Sequence, residues 1–332
     1  VSIFLTGYTG NVGQTIAAAL PTARILALVR DLSTAPRRSN VQLVPGSLDA
    51  LPEGCTDQIE IIIHAAADTS FTAPLDTLRR TNVEGTAQLL AFAGECPRLR
   101  RFIHLSTVCV SGKSTGLIGE ASLPQPEFVN AYEQTKWEAE QLVLQAALPT
   151  EIVRLSTVVG RESDGRTVRL GPLHHAMYWL WRGLIPMIPG EANARVDLIS
   201  AEHAADAIVR LLREPVRSSS VHYIAAGQSA APLGELLDVI FAIFARHHAA
   251  WARGAIARPD LADAKTWALF SAVIARSGDA LFARVIHDAQ SFLPGLLHPR
   301  TYATSRPAPH WRTVVERTVE HLIRTDWHRS HD

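Results

Sequence analysis

The sequence predicts a doubly wound α/β fold, a parallel sheet with helices on both faces, followed by a smaller, mainly helical C-terminal region. Two observations carry this. Short apolar runs alternate with helix-forming stretches over roughly the first half of the chain. The first run, Val1 to Thr6, passes directly into Gly7-Tyr8-Thr9-Gly10-Asn11-Val12-Gly13 and then into a helix-forming stretch, Gln14 to Leu20. Strand, glycine loop and helix in that order turn a glycine pattern into a dinucleotide-binding expectation. Gly7 allows the tight turn, Gly10 lets backbone approach a pyrophosphate, and Gly13 lets the helix pack close to the strand. The helix N-terminus then faces the phosphates.

The remaining elements follow in order. Arg24 to Val29 reads as the second strand. Arg30 follows where an acidic residue would hold adenosine ribose hydroxyls, and an arginine there suits a 2′-phosphate. NADPH is therefore expected over NADH, with Arg37 and Arg38 as additions to the pocket or as surface charge. Val41 to Val44 is a third strand, ending in Gly46-Ser47-Leu48-Asp49. Ile59 to Ile63 is a fourth, apolar as a strand covered on both faces should be. It ends in His64-Ala65-Ala66-Ala67, small residues that leave room for a flat ligand. A long helix over Pro74 to Cys96 contains Asn82, and Arg101 to Leu105 is the fifth strand.

The next helix, Tyr132 to Ala147, begins at Asn130-Ala131-Tyr132-Glu133-Gln134-Thr135-Lys136, with Asn130 as its cap. Tyr132 and Lys136 stand one turn apart on one face. An ammonium beside a phenol lowers the phenol's pKa. A tyrosine so placed can pass a proton to an oxygen that is receiving a hydride. Only three of the 32 basic residues are lysines, which makes this one less ordinary as surface filler. Glu151 to Leu155 is the sixth strand, and His222 to Ala225 is a later strand returning to the core. Glu202 to Arg213 is an amphipathic helix. From Pro232 the chain reads as helices, about residues 232–248, 262–276, 279–291 and 310–325. The division expected is residues 1–160 for the dinucleotide and catalysis and 161–332 for the substrate.

Taken together, glycine loop, sheet and Tyr-x-x-x-Lys resemble the extended short-chain dehydrogenase/reductase family. That family's catalytic hydroxyl, tyrosine, lysine and asparagine positions match Thr107, Tyr132, Lys136 and Asn82. The nearest resemblance is to the fatty acyl-CoA reductase and thioester-reductase group. It rests on His104-Leu105-Ser106-Thr107 with Asn130 to Glu140, on Pro189-Gly190-Glu191-Ala192-Asn193-Ala194-Arg195-Val196-Asp197-Leu198-Ile199, and on the stretch from Phe292 to Ser305. Ser47, Leu155 and Tyr302-Ala303 depart from the group's acidic residue, proline and phenylalanine–aspartate pair. The resemblance implies cofactor contacts at Gly7, Thr9, Gly10, Asn11, Val12, Gly13, Arg30, Ser47, Leu48, Ala65, Ala66, Ala67, Ser106, Tyr132, Lys136, Leu155, Ser156 and Val158. Substrate contacts are expected at Val108, His174, Tyr178, Trp181 and Arg195.

The implied reaction is NADPH-dependent reduction of an acyl thioester, on coenzyme A or a carrier protein, to an aldehyde, with or without further reduction to the alcohol. The alternatives are a secondary-alcohol dehydrogenase, ketoreductase or epimerase, and a non-catalytic NADPH-binding sensor. The apolar and aromatic segments 174–188 and 232–298 are candidates to enclose an acyl chain, although aromatics at helical spacing are more often core. Zero formal net charge gives no field for nucleic acid or an anionic membrane. No apolar run reaches membrane-spanning length, and no leader peptide is expected because the first strand starts at once. Cys55, Cys96 and Cys109 form no disulfide framework, which suits a reducing, cytoplasmic setting. Cys109 is expected to be a small buried strand residue. The histidines, among them His174-His175, His247-His248, His321, His328 and His331, show no metal spacing, so no metal is expected.

Overall fold

The computed structural model describes residues 1–290 and 293–328, so Phe292 and His331 lie outside the described residues. Eight parallel strands form the main sheet: β1 Ser2–Thr6, β2 Arg24–Val29, β3 Val41–Pro45, β4 Ile61–His64, β5 Arg101–Thr107, β6 Thr150–Leu155, β7 Ser220–Ala225 and β8 Arg306–Pro307. Their order across the sheet is β8-β7-β6-β5-β4-β1-β2-β3. The chain thus starts in the middle, winds out to β3, returns and winds the other way. The switch lies between β1 and β4, where such a sheet opens its crevice.

Alternate side chains of each strand enter the two faces. Ile3, Leu5, Ile25, Ala27, Ile61, Ile63, Ile103 and Val153 face one apolar cluster, which includes Ala204, Ala205 and Ile208. Phe4, Leu26, Ile62, Phe102 and Ile152 face the other, with Leu89, Phe92 and Val143. The covering helices are α1 Asn11–Ala19, α2 Leu75–Arg79, α3 Gly85–Gly94, α4 Ala131–Gln145 and, after α5 Pro172–Trp181, α6 Ala201–Leu211. A π-turn over Arg80–Glu84 joins α2 to α3 and carries Asn82. Here the expected single helix is interrupted, because one extra residue is accommodated in the turn at a site of side-chain pairing.

The remaining helices are α7 Leu233–His247, α8 Ala249–Ala252, α9 Ala264–Ser277, α10 Ala280–Gln290 and α11 Arg312–Arg324. With α5 they form a separate apolar cluster that includes Tyr178, Trp179, Phe241, Phe244, Trp251, Trp267 and Trp311. The two halves of the chain are interleaved, since α6, β7 and β8 come from beyond residue 160 yet complete the sheet and one of its covering layers. Among the described residues no helix is long and apolar enough to cross a membrane. All three cysteines are free, with Cys55 and Cys96 buried and Cys109 partly buried.

Behind α4 lies a buried ion pair. Arg154 on β6 and Glu140 on α4 are both 0% exposed and meet through two bonds, Nη2 to Oε2 at 2.6 Å and Nε to Oε1 at 2.9 Å. Arg154 also donates to Ala121 O and to the Tyr223 hydroxyl, both at 2.9 Å. Removing the guanidinium would strand a carboxylate in the core. Arg154→Ala should lose about 3–5 kcal/mol of stability, read as a lower urea midpoint. A midpoint unchanged from wild type would show that Glu140 finds water or another partner.

Candidate active site

The glycine loop leaves β1 and enters α1 through three backbone approaches. Gly7 has φ of 71°, and a Cβ there would lie 2.5 Å from the Ala65 carbonyl carbon. A Cβ on Gly13 would lie 2.3 Å from Gly7 O. At Gly10 the nearest atom would be Gly7 O at 3.3 Å, which leaves the outer side of the loop open. Gly10 is also the N-cap of α1, and no side chain caps that end. An open loop under an uncapped helix N-terminus fits a dinucleotide pyrophosphate.

The neighbouring contacts were less legible in the sequence. Asn11 Oδ1 accepts from Val168 N and Arg169 N, and its Nδ2 donates to Arg169 O at 3.1 Å. A segment 157 residues away thus clasps the loop. Tyr8 is buried and donates to Pro36 O at 2.7 Å, which holds the turn bearing Arg37 and Arg38 beside the glycine loop. Arg30 is exposed at the carboxyl end of β2. Ser47 bridges to Ala50 through backbone, and Leu48 packs on Gly85, where a Cβ would lie 2.7 Å from Leu48 Cδ1. Thr9 O accepts from Gln14 Nε2, Val12 packs against the apolar cluster of α1, and Ala65, Ala66 and Ala67 are half-buried after β4.

A hydrogen-bonded chain runs beneath this crevice. Ala66 N donates to Thr6 Oγ1, and Thr6 Oγ1 lies 2.8 Å from His64 Nδ1. His64 Nε2 lies 3.0 Å from Thr86 Oγ1, which itself donates to Asn82 O. The Thr86 proton is committed, so His64 Nε2 is the donor in that contact. Burial, with Lys136 second, pushes its pKa down to about 3. The Asn82 side chain accepts from Asp68 N at 2.8 Å and donates to Asp68 O and to Thr135 Oγ1. Its amide fastens the segment after β4 to α4, a use that the motif alone did not disclose.

Thr107 ends β5, and Tyr132 and Lys136 project from the first turns of α4. Asn130 Oδ1 caps α4 by accepting from Glu133 N at 3.0 Å. All three side chains are buried, and Lys136 is 2% exposed. Thr107 Oγ1 accepts from Cys109 N at 3.1 Å, which leaves its own proton to donate. The Thr107 hydroxyl also acts on the Tyr132 phenol and favours ionisation, but burial dominates and raises the pKa of Tyr132. Phe71 stacks on the Tyr132 ring, with centroids 4.9 Å apart and planes 22° apart.

The expected effect of the ammonium on the phenol is not realised in this arrangement. Lys136 Nζ donates to Leu105 O at 2.9 Å and lies 3.3 Å from His104 Nε2. Burial lowers its pKa to about 8, with Glu140 opposing. His104 is wholly buried, with its pKa held well below the ordinary range by burial and then by Lys136. A neutral His104 receives the ammonium on Nε2, and its Nδ1 has no hydrogen-bond partner among the described residues.

A cavity of about 120 Å³ adjoins these groups. Val108 and Arg195 line it, together with Phe71, Cys109, Glu133 and Arg300. Burial, the largest effect, pushes Glu133 up to about 7, although Val129 N and Arg300 favour its charge. Burial likewise raises the Cys109 thiol, which leaves it a poor nucleophile.

Other expected substrate residues lie elsewhere. His174 accepts from Gly171 N on Nδ1 and reaches Val159 O through Nε2, so it braces the start of α5. Tyr178 and Trp181 pack in the helical cluster: Trp181 stands against Phe244, and Tyr178 against Trp179 and Trp327. Both stand on α5, Tyr178 buried and Trp181 partly buried against the other rings of that cluster. Ser106 is buried with no hydrogen-bond partner for its hydroxyl among the described residues, Leu155 is buried, and Val158 is half-buried. Ser156 donates to Asp197 O, and the Asp197 carboxylate accepts from Ala226 N and Gly227 N. Among the described residues no group of three His, Cys, Asp or Glu side chains is gathered for a metal.

Comparison with known proteins supports the class that this geometry suggests. The terminal R domain of the myxalamid PKS-NRPS pathway superposes with a TM-score of 0.77 at 21% identity, over 98% of this chain and 91% of that one. Among curated sequences, a 4-hydroxy-2-methyl-3-oxo-4-farnesyl-3,4-dihydroquinoline-1-oxide ketoreductase of Stigmatella aurantiaca is 36% identical over 48% of this chain and 51% of its own length. An alcohol-forming fatty acyl-CoA reductase of Simmondsia chinensis is 26% identical over 54% of this chain and 37% of its own. The chain spans about a tenth of a glycine betaine reductase of Emericella nidulans, to which it is 30% identical over 38% of its residues. The solved neighbours share the doubly wound fold, among them a UDP-glucuronic acid 4-epimerase of Bacillus cereus in complex with NAD, with a TM-score of 0.68 at 16% identity over 98% of this chain and 99% of that one. Residues 49–208, just under half of the chain, match the family model described as male sterility protein.

Glu133 gives this site a pH signature. Its folded carboxyl titrates near 7, above the ordinary 4.5, so the folded state holds that proton more tightly. The resulting stabilisation is complete below the ordinary value and is lost as pH rises through 7. Glu133→Gln should therefore lose less stability than wild type between about pH 5 and about pH 8. Urea midpoints at the two pH values check this; equal losses in both proteins would mean that Glu133 ionises normally.

Proposed function

We propose that the chain reduces an acyl thioester, carried on coenzyme A or on a carrier-protein phosphopantetheine, to an aldehyde with NADPH. The observation that carries the reading is the convergence of buried Thr107, Tyr132 and Lys136 beside a cavity whose lining includes their sequence neighbours Val108, Cys109 and Glu133. Residues before about 160 serve the dinucleotide and the chemistry. The later half supplies most of the substrate side, with Phe71, Cys109 and Glu133 contributed by the first.

The dinucleotide supplies the hydride. Gly7, Gly10 and Gly13 with the N-terminus of α1 would hold its pyrophosphate, Arg30 its 2′-phosphate, and Lys136 its ribose. Thr107 and Tyr132 donate hydrogen bonds to the thioester carbonyl oxygen and stabilise the charge that develops there. Burial keeps Tyr132 protonated, so it enters the reaction as a donor. The adduct then collapses by expelling thiolate, a leaving group that needs little acid. The similarity to the Simmondsia chinensis reductase supports an acyl substrate.

A second reading, reduction of a ketone to a secondary alcohol, is favoured by the 36% identity to the Stigmatella aurantiaca ketoreductase. The same hydroxyls would serve it, with Tyr132 giving its proton to the alkoxide.

Tyr132→Phe should keep the fold and most NADPH affinity but lose about 10²-fold or more in turnover. Turnover near wild type with thioesters and ketones alike would remove Tyr132 from the chemistry. Arg30→Ala should cost NADPH about 1.5–3 kcal/mol of binding and leave NADH almost unchanged. Titration of both cofactors checks this; an unaltered preference would place the 2′-phosphate elsewhere.

A further inference from the structure

The cavity beside Tyr132 has a size and a charge that go beyond the reading above, on which this inference rests. Its volume is about 120 Å³. An apolar cavity of about 150 Å³ holds one benzene. Leu173 and Leu296 line it and also belong to the packed helical cluster, so the cavity backs onto filled core. Room exists for an acyl group of roughly six heavy atoms.

The charge comes from Arg300. It sits on a short strand, Arg300–Tyr302, that pairs with Gly116–Ile118. Its guanidinium donates to Gly112 O and lies close enough to Tyr302, Cys109 and Glu133 to interact electrostatically. The Tyr302 hydroxyl and the Glu133 carboxyl are among the groups that favour its charge against the cost of burial. Arg195, also on the lining, gives one of its protons to Ala230 O. The two lining carboxyl groups are committed to backbone donors, Asp197 to Ala226 N and Gly227 N, and Glu133 to Val129 N. The lining therefore keeps a partly buried permanent cation that Glu133 faces without forming an ion pair with it, and an entering anion that reached the guanidinium would gain a charge-assisted hydrogen bond.

We propose that this cavity is the acyl subsite and takes a short acyl group that ends in a carboxylate, which pairs with Arg300. A fatty chain would be too long for the volume and would leave the guanidinium unpaired.

The test compares three coenzyme A thioesters with saturating NADPH: a four-carbon acyl group ending in a carboxylate, its methyl ester, and a sixteen-carbon chain. Because the carrier is constant, its phosphates cannot account for a difference. The carboxylate form should exceed both others by about tenfold or more in kcat/KM. Arg300→Gln should remove that advantage, so that carboxylate and methyl ester turn over about equally, and leave NADPH affinity intact. Equal or better turnover of the methyl ester or the long chain by the wild-type protein would overturn the proposal, as would an advantage that survives Arg300→Gln. A parallel pair, a short keto acid and its methyl ester, covers the ketone reading. If only ketones react, the thioester reading fails while the keto acid still reports on Arg300, and a wild-type protein that does not favour the keto acid over its methyl ester overturns the subsite as well.

Discussion

Burial of one ammonium organises this site. Lys136 is almost wholly inside the protein, and a charge so placed needs acceptors within reach. It finds the Leu105 carbonyl and the neutral imidazole of His104, both on the strand that ends at Thr107. This fixes α4 against β5 and sets the register that brings Tyr132 beside Thr107. Glu140, one further turn along α4, contributes negative charge toward Lys136 and is itself held by Arg154 on the next strand. The same helix is tied to the segment after β4 through Thr135 and Asn82. Strands, helix and crevice are thus joined by polar contacts inside an apolar core, where each contact is costly to break.

That arrangement also corrects the simplest view of the tyrosine–lysine pair. Spacing places both residues on one face of α4, as expected, but the ammonium is directed to β5. Burial raises the Tyr132 pKa, and Lys136 is not among the groups that act on it most. The phenol is therefore a protonated donor in this state.

The sheet and the cofactor loop were legible because their signals are local. Val1 to Thr6, the glycines and Arg24 to Val29 are consecutive, and backbone sterics at Gly7 and Gly13 tolerate little else. Asn130 as a cap and the helices after Pro232 were readable for the same reason. The site's other contacts are long-range. Asn11 meets Arg169, Tyr8 meets Pro36, Phe71 stacks on Tyr132, and Arg300 enters a cavity beside Glu133. Nothing in the spacing of those residues announces the pairings. The aromatic run from Tyr178 to Trp181 was ambiguous in sequence, because a helix face rich in rings looks alike whether it meets a ligand or another helix. Here it meets α7 and the C-terminal turn at Trp327.

The proposed hydride transfer to an acyl thioester carbonyl is tested most directly by isotopic labelling. The purified protein would be given NADPH deuterated at the transferred position of C4, with an acyl thioester and a ketone in separate reactions, and products weighed by mass spectrometry. One deuterium is expected on the carbonyl carbon of an aldehyde released from the thioester, together with free thiol. Deuterium found only in a secondary alcohol from the ketone, with the thioester returned intact, would contradict it.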